Sequence, residues 1–316
     1  MTWWLHLIEV IAILIVLLTT PVALIWVERR VLALFQDRRG PNRTGPLGLL
    51  QPVADAVKLF AKEDWVPPFA DRYLFIFSPA ILVVTVLLAF GVVPFAPRIQ
   101  VSDLNVGLLF FLAMLGLGVY SVVLAGWSSN SKYPLVGGMR AAAQMISYEV
   151  PLGLSLVGVI MLSGSFRLGD IIEAQRHVWF CVLQPLGMLV FFVGAVAESR
   201  RIPFDLPEAD SELVHGYHTE YSGMKFGLFY LGEYLDVTLV ACMTTVLFLG
   251  GGSGPALPPI LWFVLKVGVF IMVFIWARSI LPRFRFDQLM EMGWKLLLPL
   301  ALLNALGTGL IALLVA

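Results

Sequence analysis

The sequence predicts an all-α, polytopic membrane protein with eight transmembrane helices and an amphipathic surface helix in its first cytoplasmic loop. Three observations predict it. Hydrophobic residues make up 59% of the 316 and charged residues 13%, with a mean hydropathy of +0.89, whereas soluble domains have roughly 45–50% apolar and about 25% charged residues. The apolar residues gather into runs of the roughly 20 residues that a bilayer-spanning helix needs. The basic residues gather into every second gap between those runs.

The runs lie near 4–27, 74–93, 105–127, 141–163, 178–197, 226–249, 260–280 and 295–315. No internal repeat divides them, so residues 1–316 are read as a single membrane domain. The opening Met1-Thr2-Trp3-Trp4 has neither the basic stretch nor the small-residue cleavage site of a signal peptide, and the first run is expected to be a retained helix. Gaps 28–73, 128–140, 198–225 and 278–295 hold nearly all of the 21 lysines and arginines. Only Arg98, Arg167 and Arg176 lie in the opposite gaps, and Lys266 lies inside a run. Short loops rich in Lys and Arg stay in the cytoplasm, which puts both termini outside. The expected location is a bacterial inner (plasma) membrane, crossed many times, or its mitochondrial equivalent.

The first cytoplasmic loop, 28–73, spans about 45 residues, too many for a plain connector. From Gly48 to Lys62 the apolar Leu50, Val53, Ala54, Val57, Phe60 and Ala61 recur with helical period, with Gln51, Asp55, Lys58 and Lys62 opposite. This helix suits a lipid surface, another subunit, or simple capping of the bundle. Ahead of it, Arg38-Arg39-Gly40-Pro41-Asn42-Arg43 forms a stiff basic turn suited to an acidic surface.

Ionisable residues inside the runs cost roughly 2.5–3.5 kcal/mol each to insert, so they normally face protein, a partner or water. Glu149, beside Pro151, is one; Glu233 and Asp236, three residues apart on one helix face, form a pair. Lys266 is a candidate counter-charge, and Glu9 lies close enough to the outer end to reach water. The alternative for all of these is a structural ion pair. Loop 198–225 is the densest polar feature, with Glu198, Asp205, Glu208, Asp210, Glu212 and Glu220 against Arg200 and Arg201. Interleaved Pro203, Phe204, Leu206, Pro207 and Leu213 predict that it is ordered and partly buried. Acids crowded together in that way can hold or pass protons near neutral pH.

Other chemistries are excluded. A net charge of zero gives no reason to expect a nucleic-acid partner, and Cys181 and Cys242 are too few for an iron–sulfur cluster. His215 and His218 alone do not make a metal site. No Walker A sequence, dinucleotide fingerprint, nucleophile elbow or haem-ligand pair is present. An electron carrier must therefore sit in a partner, and the chain is not a redox enzyme by itself.

Several strings carry a resemblance. Glu28-Arg29-Arg30, Gln36 through Pro46, Gly48-Leu49-Leu50-Gln51-Pro52 with Asp55 and Lys58, Gly126 through Tyr133, Arg140 through Glu149, Pro203 through Glu208, Glu212-Leu213-Val214 with Glu220 through Gly223, and Pro282 through Met290 follow in order along the whole chain. Together they resemble the quinone-site membrane subunit of respiratory complex I, the H-type subunit of NADH–quinone oxidoreductases. Asp210 stands where that family more often has glutamate. The resemblance implies an eight-helix subunit at the junction of the peripheral and membrane arms, which forms the membrane part of the quinone chamber and couples quinone reduction to proton translocation. It assigns Glu28, Arg29, Arg38, Arg39, Asp55 and Lys58 to the chamber and junction. Glu149, Glu198, Asp205, Glu208, Asp210, Glu212, Glu220 and Glu233 fall in an acidic proton conduit. It implies no catalytic residue, metal or cofactor on this chain. Quinone is the substrate at the interface, and NADH, FMN and iron–sulfur clusters belong to partner subunits. The implied partners are the peripheral-arm quinone-site and cluster-bearing subunits, the small neighbouring membrane subunits and the bilayer. Competing readings are the equivalent subunit of a membrane-bound hydrogenase, an autonomous cation/proton antiporter, and a scaffold without a role in transport.

Overall fold

The structure, a computed structural model, describes residues 3–97, 99–207 and 210–315, without the side chains of Asp210, Ser211 and Val315. Among the described residues there is no β-strand, only an isolated bridge between Ala96 and Ile99. The helices are α1 (Trp3–Phe35), α2 (Gln51–Ala61), α3 (Arg72–Phe90), α4 (Gly107–Ser128), α5 (Lys132–Ser163), α6 (Leu168–Ala174), α7 (Phe180–Leu183), α8 (Pro185–Glu198), α9 (Asp210–Leu213), α10 (Gly223–Phe248), α11 (Pro259–Ile280), α12 (Phe286–Glu291) and α13 (Leu298–Val315). A π-helical stretch, Met292–Leu297, joins α12 to α13. The all-α, polytopic architecture is the one the apolar runs predict.

Seven described helices are long and apolar enough to cross a bilayer. The fifth run is instead broken at Gln184–Pro185 into α7 and the 14-residue α8. Proline lacks the amide that would continue α7 and is at home as the first residue of α8. The break is stitched by an intramembrane polar trio. Gln184 Nε2 donates to Thr308 Oγ1 at 2.6 Å and Asn304 Nδ2 donates to Gln184 Oε1 at 2.8 Å, which ties α13 to the start of α8.

Boundaries differ most from the sequence reading at three places, one being the last helix, which begins at Phe286 rather than near 295. α1 continues to Phe35, so Glu28 and Arg29 sit on a helix rather than in a loop. α5 begins at Lys132, where a loop to residue 140 was expected. Gly137 and Gly138 read as loop residues, but they serve contact: a Cβ on Gly137 would lie 2.7 Å from Tyr217 N, and one on Gly138 would lie 3.1 Å from Val122 O.

Connections alternate between the two ends of the bundle. α3 packs on α4, α4 on α5, α5 on α8 and α13, and α10 on α3 and α11. The centre is α10, whose apolar window is 94% buried, against 11% for α1 at the rim. The element that carries Glu233 and Asp236 is thus wrapped on all sides. Asp71 caps α3 by accepting from Tyr73 N at 3.2 Å and Leu74 N at 3.4 Å, at the same end where loop 198–225 folds over the bundle.

Candidate functional site

At the charged end of α10 the chain leaves α8 at Glu198 and turns through Arg200, whose φ is +56°. That left-handed conformation costs a non-glycine residue roughly 1–2 kcal/mol, and local packing holds it. Gln144 on α5 donates from one Nε2 to Ala197 O at 2.8 Å and Phe204 O at 2.7 Å, bracketing the segment. Phe204 packs between Tyr148 and Phe284, with ring centroids 5.8 and 5.7 Å away. The ordered, partly buried loop anticipated from its apolar residues is the one observed: Arg200 is 1% exposed and Phe204 5%.

Both arginines turn inward. Arg201 Nη2 meets Glu233 Oε2 at 2.9 Å, and its guanidinium lies 4.2 Å from the Tyr234 ring centroid and 5.1 Å from that of Tyr230. Arg200 Nη1 donates to the Tyr217 hydroxyl at 3.1 Å, which in turn donates to Glu233 Oε1 at 3.2 Å. His218 Nε2 lies 3.9 Å from the same oxygen. Burial pushes the His218 imidazole down to about 3, although the Glu233 carboxylate pulls the other way, so it is neutral at physiological pH.

Two further acids complete the cluster. Glu198 and Asp236, 1% and 3% exposed, line a cavity of about 10 Å³ together with Thr85, Gly118 and Met145. That volume holds about one water molecule. Among the described residues neither Glu198 oxygen has a hydrogen-bond partner, nor does Asp236 Oδ1. Three carboxylates thus share the interior with two guanidiniums, a set that one proton would bring to neutrality. Glu149, half-buried on α5, points its carboxylate at Gly116 on α4, where a Cβ would come 2.9 Å from Oε1.

The other conduit candidates sit nearer the surface. Asp205 pairs with Arg283 at 2.7 Å, Glu212 with Arg140 at 2.6 Å, and Glu220 is half-buried. Glu208 and the side chain of Asp210 lie outside the described residues.

The chamber and junction candidates form a separate group. Glu28, 7% exposed, pairs with Arg278 across α1 and α11. Arg29 meets Asp55 at 2.6 Å and Lys58 lies 3.3 Å from the same carboxylate. Burial works to raise the Asp55 carboxyl, but Arg29 outweighs it and holds it below the usual carboxylate range. Gln51 and Asp55 on the polar face of α2 are turned to the protein while Lys58 and Lys62 stay exposed, and Val53, Val57 and Phe60 are exposed on the other side. Arg38 and Arg39 are exposed. The gap between Glu28 and Arg201 holds only about 10 Å³, too little for a quinone ring.

Sequence reasoning left Asp236 out of the conduit, although its spacing from Glu233 marked it. It missed Tyr217, Gln144, Arg278 and Arg283 as partners. Arg278 and Glu28 are 250 residues apart, and no local pattern links them. Lys266, expected as a counter-charge, has no carboxylate within ion-pair range among the described residues and bonds backbone carbonyls at the opposite end of the bundle.

A family model described as NADH dehydrogenase matches residues 8–309. The H-type subunit of the NADH-quinone oxidoreductase of Methylococcus capsulatus is 57% identical over 305 residues, 96% of each chain. The chain belongs to this family. An H-type subunit of the same enzyme from Geobacter metallireducens is 54% identical over 318 residues, covering 98% of this chain and 97% of its own, and one from Syntrophobacter fumaroxidans is 53% identical over 306 residues, covering 94% and 92%. Membership in the H-type family makes the chain a membrane subunit of complex I, and thus part of an oxidoreductase assembly. The buried acids and arginines described above belong to that subunit.

Proposed function

We propose that this subunit walls the membrane end of the quinone chamber and carries protons inward from it along buried acids. The observation that supports this most is the cluster of Glu198, Glu233 and Asp236 with Arg200 and Arg201, sealed in the bundle and continuous with loop 198–225. Holding such groups in an apolar interior is costly unless they are used or fully paired, and Glu198 is not paired among the described residues. Quinone reduction alters charge beside the junction formed by Glu28, Arg29, Asp55 and Lys58. The change in field shifts where the cluster's proton resides, and Arg201 and the loop move with it. The subunit supplies no electron carrier, so NADH, FMN and iron–sulfur chemistry belongs to its partners, and it is inactive alone. The charged end faces the cytoplasm, and the membrane is the bacterial plasma membrane. The partner surfaces are the exposed Arg38 and Arg39 turn and the apolar face of α2.

The test is NADH–quinone turnover and proton pumping in membranes carrying Glu198→Gln, with assembly followed on native gels. An assembled complex that turns over with diminished pumping supports the conduit. Normal pumping refutes it and leaves family membership intact.

A further inference from the structure

Lys266 stands apart from the acidic cluster, yet it is 4% exposed inside an apolar helix. Its Nζ donates to three backbone carbonyls, Leu249 O at 2.6 Å, Gly251 O at 2.9 Å and Ser253 O at 2.7 Å. An ammonium has three donors, and all three are used. The Trp179 ring centroid lies 4.5 Å from the nitrogen and that of Trp262 5.9 Å. Converging carbonyl dipoles backed by aromatic faces are the surroundings that suit a small monovalent cation.

The carbonyls belong to the connection between α10 and α11, Leu249 through Pro258. Its glycines let the chain turn them inward: Gly250 and Gly251 have φ of +66° and +57°. On the other flank Gln175, fully buried, accepts from Gly250 N at 2.9 Å and donates to Val246 O at 3.0 Å. Two polar side chains therefore hold a loop without regular structure across the far end of α10, the same helix whose near end carries Glu233.

We propose that Lys266 is a tethered cation filling a backbone-oxygen site, and that the filled site closes the end of the bundle remote from the charged loops against small cations and protons. With the side chain removed, the site takes potassium or ammonium instead. Only the proton-leak measurement rests on the proposed role in proton translocation; occupancy by a cation stands independently of it.

The experiment uses the whole complex in membrane vesicles with a Ser253→Cys reporter. Maleimide labelling of that cysteine is compared with and without Lys266→Ala, in potassium or ammonium and in N-methylglucamine, which is too large for the site. Removing the lysine should speed labelling about tenfold or more in N-methylglucamine, as loss of hydrogen bonds to a charged group would. Potassium or ammonium should reverse most of it. Passive proton leak, measured without substrate in potassium or N-methylglucamine, should rise and fall in parallel. Labelling and leak indifferent to the cation would overturn the proposal. Should Lys266→Ala assemble in no medium, Gln175→Ala decides: it loosens the loop while leaving the ammonium in place, so faster labelling insensitive to cations supports the proposal and unchanged labelling ends it.

Discussion

Arg201 and Glu198 differ in what each would leave behind if its charge were lost. Arg201 meets Glu233 and two tyrosine rings, so Glu233→Gln removes a buried carboxylate from its guanidinium and should cost about 1–3 kcal/mol. Thermal stability of the solubilised complex should fall accordingly. Glu198 has no hydrogen bond to lose among the described residues; Glu198→Gln should leave the complex no less stable than the parent while pumping falls. Equal destabilisation by both would show that the two carboxylates have the same structural role. His218 makes a prediction about pH. Its value falls from 6.5 in the unfolded chain to about 3 in the folded one, so the unfolded state binds the extra proton. Stability is then full above about 6.5 and declines as pH falls toward 3, by roughly 1.4 kcal/mol per pH unit. Replacing His218 by Gln should flatten the thermal midpoint between pH 7 and 5.5, relative to the parent. The sequence showed these residue types but not their partners. Three-residue spacing on one helix brings Glu233 and Asp236 together by local geometry, whereas Tyr217, Arg278 and Arg283 meet their carboxylates only after the bundle closes.

At the scale of elements, α5 and the turn Gly216–His218 touch backbone to backbone through Gly137. A methyl there meets main-chain atoms that cannot swing away, so Gly137→Ala should cost about 1–3 kcal/mol and reduce assembled complex on native gels. Gly153, with nothing within 4 Å of a built Cβ, is the control; its replacement by alanine should gain about 0.5–1 kcal/mol, the helix-propensity difference. Comparable gains at both sites would mean that helix propensity rather than contact governs. The surface helix α2 was legible from its period, but which face it would bury was not. Amphipathic patterning says that two faces differ; only Arg29 and Gln51, converging on Asp55, show that the Asp55 edge of the polar one meets the protein.

For the whole molecule, hydropathy announces an all-α polytopic protein and the basic gaps give an expected orientation, because lipid penalises every unpaired backbone group and every charge. The proposed orientation has a direct check: a cysteine at Arg38 should react with an impermeant maleimide only from the cytoplasmic side, and one at Arg176 only from the other. Labelling of both from one side would reject it. Hydropathy could not foresee the break at Gln184, since a proline inside an apolar run is compatible with either a kink or a stop, nor the π-helical stretch before α13. That stretch has a consequence for heredity. A π turn accommodates one residue more than an α turn, so losing a single residue between Met292 and Leu297 would leave a smoother helix. The wide turn would absorb the loss, so that everything after it keeps its orientation and Asn304 and Thr308 still face Gln184. One in-frame codon deletion between Met292 and Leu297 should therefore be borne by descendants of the gene, whereas the same deletion between Leu298 and Asn304, which rotates everything beyond it by about 100°, should be among the least tolerated changes.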